Sequence, residues 1–367
     1  MQDPKRCWAE IDLGALRHNA AIVREQIGAR PRIMAVVKAN AYGHGMLEVA
    51  RALAGITQFF GVACVSEART LSAALPQARI ALLAPALPHE RGEIARSGYL
   101  PPVSSFEEAA AYDALAQGGK IRVHLAIDTG MGRIGVWEED AIEVARQIQR
   151  LPSIEIAGIG NHLPVADEDE AFTAKQLARF ATLAQELRAL GIDAPLVHCL
   201  NSAGVIRFPE DAHDMVRAGL MLYGSSPIAE FQSRLRPVMT FKTRVALVRD
   251  VGAGRGISYG RTFITSSPMR VATLSAGYAD GYQRRVSNQG AAVLIHGRRC
   301  HLLGRVTMDQ IMVDVTALPG VVAGDEAVLM GRQQDKEILA SELAEKAGTI
   351  PWEIFTGIGG RVERIYS

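Results

Sequence analysis

The chain has 367 residues, enough for about two domains at roughly 150 residues each, one of which could be a barrel of about 250. Its 40 Lys and Arg against 39 Asp and Glu leave a net charge of +1, so no electrostatic footprint marks it for nucleic acid or anionic membrane, and neither partner is expected. Four cysteines, Cys7, Cys64, Cys199 and Cys300, lie far apart with no Cys-x-x-Cys pair, which points away from a zinc site or a disulfide scaffold and fits a reduced cytoplasm.

The amino-terminal MQDPKRCWAEIDLG lacks an apolar signal core, and no uninterrupted apolar run approaches the ~20 residues of a membrane helix, so a soluble, unexported protein is expected. CWAEIDLGALRHNAAIV reads as a short strand, about 6–12, followed by a helix. From residue 32 to about 216, short apolar runs alternate with longer helical patterns, the signature of βα units around a parallel sheet. Eight strands are predicted: 32–37, 59–65, 79–83, 98–103, 121–127, 154–160, 195–200 and 213–216. The segments between them, such as 105–119 and 171–191, carry apolar residues at three- and four-residue spacing and end at glycine, as helices do. Eight such units close a barrel.

After Arg236-Pro237 the texture changes to β-branched runs separated by glycine turns, interrupted by one helix at about 337–347. The fold class predicted is therefore α/β, with an N-terminal (β/α)8 barrel over 1–235 and a C-terminal, mostly antiparallel β domain over 236–367.

The most informative ten residues are VVKANAYGHG at 36–45. The β-branched and apolar run 32–37 has the length of a strand buried on both faces, and Lys38 is the first charged residue after it. At the C-terminal mouth of a parallel strand an ammonium meets the ligand crevice, and partial desolvation lowers its pKa toward the nucleophilic amine that reacts with carbonyls. The plainer reading is a lysine that caps a strand and points into water.

VVKANAYGHG resembles the cofactor-lysine motif of alanine racemases, pyridoxal-phosphate (PLP) enzymes built on a (β/α)8 barrel with a second, β-rich domain. DTGMGRIG at 128–135, VHCLNSAG at 197–204, MVRAGLMLYG at 215–224, ISYGRTF, SAGYADGY and TMDQ resemble further motifs of that family in the same order, covering essentially the whole chain. The resemblance implies that the first strand joins the C-terminal domain. Lys38 then matches the lysine that holds PLP and serves one face of the substrate as a base, and Tyr259, donated by the second subunit, matches the base on the other face. Tyrosine has an unperturbed pKa of ~10, so acting near neutrality requires neighbours that stabilise phenolate. His162 matches the histidine beside that tyrosine; a structural histidine at a strand end is the competing reading.

For the cofactor, barrels usually hold phosphate with the loops after their last two strands and the N-terminus of a short helix, and Asn201, Ser202, Ala203 and Gly204 sit there. The same four residues could be a helix N-cap with no ligand. By resemblance, Ser202, Gly219 and Tyr42 contact the phosphate. Arg217 matches an arginine on the pyridine nitrogen, where a guanidinium that keeps its proton makes that nitrogen a neutral acceptor and the ring a weaker electron sink. Arg133 matches an arginine that bonds the ring hydroxyl and holds the substrate carboxylate. Met308, through its backbone amide, and Asp309 match partner-subunit residues lining the pocket, and Tyr278 matches a tyrosine limiting substrate size at its entrance.

Three departures stand out: Ala126 where relatives often carry a modified lysine bracing the arginine, Gly360 in place of a phosphate-contacting tyrosine, and Thr307 in place of a cysteine. The resemblance implies a cytoplasmic, homodimeric PLP-dependent amino-acid racemase with shared active sites, interconverting L- and D-alanine for cell-wall peptidoglycan, with no metal. Racemases of serine, lysine or a broad range compete with that reading. A non-catalytic PLP-binding protein would resemble the barrel alone, and a barrel decarboxylase would place an acid on the pyridine nitrogen.

Overall fold

The computed structural model describes residues 5–367; the first four residues of the stretch read for a signal lie outside them. It divides into two units, one comprising Leu16–Ala41 and Met46–Leu235, the other the stretch ending at Ala15, Tyr42–Gly45 and Arg236–Ser367. Strand β1 (Cys7–Ile11) opens the chain and belongs to the second of these.

The first unit is built on strands that, β7 with its exposed Trp137 apart, are largely buried: β2 (Arg32–Val36), β3 (Phe59–Val62), β4 (Ile80–Leu82), β5 (Pro102–Val103), β6 (Ile121–Asp128), β7 (Val136–Trp137), β8 (Ile154–Gly160), β9 (Val197–His198) and β10 (Met215–Ala218). Every pairing among them is parallel, in the orders β10-β2-β3-β4 and β5-β6-β8-β9, with β7 added beside β6. Backbone bonds close the two gaps. Leu82 N–H donates to the Leu100 carbonyl at 2.9 Å, and Arg217 N–H donates to that of Leu200 at 2.9 Å. Helices capped as their sequences prescribe follow the strands; Ser105 Oγ accepts from Glu108 N–H ahead of Phe106–Asp113, and Asp169 does the same for Glu170–Ala189.

Strand boundaries differ from the sequence pattern where a helix or turn claims the residue. The 59–65 run stops at Val62 because Val65 already begins the helix Val65–Ala74. The 98–103 run keeps only Pro102–Val103 as strand, with Leu100 in a single bridge to Ala81. The last strand lies at Met215–Ala218, two residues later than 213–216, because His213 sits at φ 48° in the turn before it. An apolar cluster fills the interior: Met34, Phe59, Ala81, Leu100, Ala157, Leu196 and Met215. Two residues further along β9 and β10, on the same face, stand His198 and Arg217.

The second unit is organised on β11 (Met239–Val251), whose first seven residues alternate buried and half-buried as a strand with one covered face should. It pairs antiparallel with β1, with β14 (Met269–Leu274) and with β18 (Glu326–Gln333), while β12 (Gly256–Ile257) and β13 (Phe263–Ile264) form a small separate hairpin. Antiparallel partners β15 (Ala292–Ile295), β16 (Arg298–His301), β17 (Ile311–Asp314) and β19 (Lys336–Ile338) extend the sheet, and β20 (Glu363–Tyr366) lies parallel to β1. The predicted helix at 337–347 begins only at Ala340, because residues 336–338 pair with β18, and it ends at Gly348, φ 64°. A second helix, Pro351–Thr356, carries proline in its first turn and was absent from the sequence expectation of one helix.

Candidate active site

Lys38 stands just past the carboxyl end of β2, half-buried. The chain then leaves the strand in an unusual way: Ala39, Asn40, Ala41 and Tyr42, none of them glycine, take φ of 51°, 54°, 54° and 50°. This is a left-handed turn, costing L-residues about 1–2 kcal/mol each, and such conformations persist only where the surroundings over-determine them. Burial lowers the pKa of Lys38, Arg133 lowers it further, and Glu67 opposes both. A half-buried amine poised toward its neutral form is the state a carbonyl-reacting lysine needs.

Arg217 is buried at the inner end of β10 with no carboxylate among its partners. Nη1–H donates to His198 Nδ1 at 2.6 Å and to the His198 carbonyl at 3.2 Å; Nη2 serves the carbonyls of Asn161 at 2.6 Å and Cys199 at 3.0 Å, and His162 Nδ1 at 3.1 Å. Its Nε–H has no partner among the described residues. Burial without a counter-charge lowers the Arg217 pKa to about 10, still charged at neutrality.

These bonds fix the proton positions of two buried histidines. Because Arg217 donates to Nδ1 of His198, that ring carries its hydrogen on Nε2, which donates to His124 Nδ1 at 3.1 Å. His124 is then protonated on Nε2, a buried atom with no partner among the described residues. Burial and then neighbouring arginines push His124 down to about 4; burial and then Arg217 push His198 well below its ordinary value. Two glycines of β8 admit the rings: a Cβ on Gly158 would fall 2.9 Å from His124 Nε2, and one on Gly160 2.4 Å from His198 Cε1.

His162 lies where the cations converge. Burial first, then Arg217, Arg133 and Lys38 lower its pKa to about 3, so it is a neutral imidazole that accepts at Nδ1 and carries its hydrogen on Nε2. The loop bearing Arg133 is held through its backbone: Asp128 accepts from the N–H groups of Gly130, Met131, Gly132 and Arg133 at 2.7–3.2 Å. Ala126 offers no brace to the guanidinium, and Asp128 shapes the loop instead.

Asn201 caps the helix Ser202–Arg207, accepting from Gly204 N–H at 3.0 Å, and its amide donates to the Leu163 carbonyl at 3.0 Å. Its side chain thus serves as the N-cap of that helix and ties it to the chain after β8. Ser202 Oγ instead accepts from Gly219 N–H at 3.2 Å and Met221 N–H at 3.3 Å, gathering two backbone donors at one buried hydroxyl.

The remaining candidates lie in the β unit. Tyr42 is buried, and burial pushes its phenol up to about 12 against a hydrogen bond from Trp352. Tyr259 is 70 % exposed, on a short turn where Ser258, Gly260 and Arg261 all have positive φ. Met308 is 53 % exposed, and its loop is knitted to the one bearing Tyr278: Tyr278 N–H donates to the Thr307 carbonyl and Ala279 N–H to that of Met308, each at 3.0 Å. That approach leaves no room for a side chain at Gly277, whose Cβ would lie 2.3 Å from Thr307 O. Asp309 pairs with Arg361 at 2.7 Å, and Arg361 also grips the buried Asp280 through two bonds.

Family profiles described as the alanine racemase N-terminal and C-terminal domains match residues 11–227 and 238–366. The chain belongs to the alanine racemase family. It is 43 % identical to the alanine racemase of Halothermothrix orenii over 98 % of this chain and 96 % of that protein, and 42 % identical to that of Carboxydothermus hydrogenoformans over 98 % and 99 %. Among solved structures, that of the Clostridium difficile alanine racemase superposes with a TM-score of 0.93 at 33 % identity, covering 99 % and 96 % of the two chains. The Bacillus anthracis alanine racemase with bound L-Ala-P gives 0.90 at 35 %, covering 100 % and 96 %.

As a member of the alanine racemase family the chain has the predicted fold, a barrel domain followed by a mostly antiparallel β domain. Several residues of the site escaped the sequence reading. His198 lies within the quoted string VHCLNSAG and His124 within the strand IRVHLAI; a histidine inside a run otherwise buried on both faces was the signal available. Asp128 was quoted only as the start of DTGMGRIG, and Glu67 gave no signal, since a glutamate in the first turn of a helix is ordinary.

Proposed function

We propose that the protein is a PLP-dependent racemase interconverting L- and D-alanine, working as a cytoplasmic homodimer that supplies D-alanine for peptidoglycan. The observation that carries this reading is Arg217, a buried cation with no carboxylate and one N–H unspent, beside a neutral histidine that faces Lys38 and Arg133. The residues fit the cofactor. Lys38 provides an amine biased toward its free base, Arg217 a donor that cannot surrender its proton to a ring nitrogen, and Ser202, whose hydroxyl accepts from Gly219 N–H and keeps its own proton, a donor for phosphate. When bound, PLP supplies the electron sink that acidifies the substrate's α-hydrogen, and an unprotonated ring nitrogen moderates it.

Lys38 would hold the cofactor, and its free amine would move the proton at one face of the α-carbon. Tyr259 of a second copy moves it at the other. His162 presents Nε2–H as a donor that favours the phenolate, and Arg133 binds the substrate carboxylate together with the backbone amide of Met308 from the second copy. Tyr278 limits substrate size at the entrance, and Asp309 of the second copy lines the pocket. The exposure of Tyr259 on its own chain supports its use by a partner. No described helix is long and apolar enough to cross a membrane.

Lys38→Ala is expected to abolish PLP absorbance and turnover together, followed by loss of optical activity from L-alanine; full activity in that variant overturns the assignment. A panel of single enantiomers tests the substrate, and preference for serine or lysine replaces alanine. Mixing Lys38→Ala with Tyr259→Phe tests the shared sites. In random two-fold dimers half the molecules are hybrids with one intact site, so about a quarter of wild-type activity returns.

A further inference from the structure

Glu67 sits in the first turn of the helix Val65–Ala74, immediately after β3. One carboxylate oxygen accepts from Ala39 N–H at 2.7 Å and the other from Ala63 N–H at 2.7 Å. A single side chain therefore ties the chain leaving β2 to the chain leaving β3, two strands already paired through Val37 N–H to the Gly61 carbonyl at 2.8 Å. Ala39 is the residue after Lys38 and the first of the left-handed turn. Two further restraints act later in the turn: Ala41 N–H donates to Val37 O at 2.8 Å, and Asn40 Oδ1 accepts from Met46 N–H at 2.9 Å.

We propose that Glu67 is a positioning residue for Lys38, its carboxylate pinning the peptide that follows the lysine so that the left-handed turn aims the amine into the barrel mouth. The proposal rests on the reading of Lys38 as the PLP lysine. Four consecutive non-glycine residues at positive φ cannot hold themselves, and Ala39, exposed and small, has no side-chain packing with which to do so. Charge-assisted bonds from a carboxylate to two backbone N–H groups are the strong kind, and both oxygens are spent on them. Glu67 also opposes the lowering of the Lys38 pKa by burial and Arg133, so the same group that orients the amine keeps it from becoming neutral too readily.

Glu67→Gln keeps shape but replaces one accepting oxygen by a donor; Glu67→Asp keeps both acceptors on a shorter arm. Apoenzyme of each is mixed with PLP, covalent attachment at residue 38 is trapped with borohydride and timed by mass spectrometry, and kcat and KM for L-alanine are measured per bound PLP. The expected result for Glu67→Gln is attachment slowed at least tenfold and kcat lowered at least tenfold with KM within threefold, with Glu67→Asp recovering part of both. Adding Ala39→Gly to Glu67→Gln should also recover attachment, since glycine takes positive φ without penalty. Wild-type attachment rate and kcat per bound PLP in Glu67→Gln overturn the proposal, as does a variant whose only loss is thermal stability. Should Glu67→Gln not fold, attachment by Glu67→Asp at the wild-type rate with the Ala39 amide exchanging freely in the native protein overturns it equally. Activity surviving in Lys38→Ala would instead remove the reading beneath it.

Discussion

Two arginines, one in each unit, show how differently a cation can be housed. Arg361 in the β unit lies half-exposed between two carboxylates, and hydrogen bonds to Asp280 and then Asp309 hold its charge more firmly than in water. Arg217 in the barrel is buried among two imidazoles and three carbonyls, none of them anionic, and burial weakens its hold on its proton. The first arrangement is what a fold uses to fasten loops. The second is costly for a structural purpose, because desolvated charge without a counter-ion is destabilising, and it makes sense where an acceptor from outside the protein completes the set.

The barrel's buried histidines also make its stability depend on acid. His124, His162, His198 and His213 all have pKa values lowered in the folded barrel, the first to about 4 and the second to about 3, in each case by burial first. Above the ordinary histidine value of about 6.5 both folded and unfolded forms are neutral there and nothing changes. Below it the unfolded chain binds protons that the native barrel refuses, so stability falls by about 1.4 kcal/mol per pH unit for each such histidine until the folded value is reached. Hydrogen exchange followed from pH 7 to 4.5 should therefore show the amides of β8 and β10 losing protection before those of β11 and β18. Loss that begins in the β unit breaks the contrast.

The next largest effect is expected at Gly160. An alanine there places Cβ 2.4 Å from His198 Cε1, so the imidazole must leave Arg217 or the strand must move. Overpacking of this kind typically costs about 1–3 kcal/mol, and displacing the guanidinium should lower kcat/KM for alanine by about tenfold or more. Gly252→Ala in the β unit, where a Cβ meets nothing within 4 Å, is the control and should be neutral. Unchanged kinetics in Gly160→Ala would falsify the idea that His198 sets the position of Arg217.

Arg361→Met tests the fastening role. Asp280 keeps its bond to Gly277 N–H at 2.9 Å but loses its counter-charge, and Asp309 is released. The expected outcome is a lowered melting temperature and a KM for alanine raised several-fold with kcat less affected, partly recovered in Arg361→Lys. A fall in kcat alone would place Arg361 with Arg217 rather than against it.

What the sequence could disclose follows the same division. The strands β2, β6 and β8 were legible because burial on both faces demands continuous apolar runs, and Lys38 because the first charge after such a run is conspicuous, whereas Arg133 and Arg217 were named through the family resemblance alone. The left-handed turn at Ala39–Tyr42 was not, since Ala-Asn-Ala-Tyr has no glycine to announce it and its restraint comes from Glu67, 28 residues away. Nor was the Arg217–His198–His124 chain, whose members come from three strands and whose space depends on glycines in a fourth. Strand ends shifted by two or three residues at Val62 and Met215, because helix starts and a left-handed His213 override local β preference.

Thr307, where the family resemblance expected cysteine, is predicted to matter least. Its hydroxyl donates to the Gln310 carbonyl at 2.8 Å and accepts from Gln310 N–H at 3.2 Å, while its own N–H donates to the same carbonyl at 3.0 Å. The side chain thus closes the turn that presents Met308 and Asp309, a local structural duty. A thiol is a weaker donor and acceptor of nearly the same reach, so Thr307→Cys loosens that turn by about 0.5–1.5 kcal/mol, the net worth of one such bond. With the backbone bond from residue 307 to Gln310 retained, kcat for alanine should stay within about threefold of wild type. A larger loss, or a switch in preferred amino acid, would mean that the hydroxyl reaches the substrate and does more than close its turn.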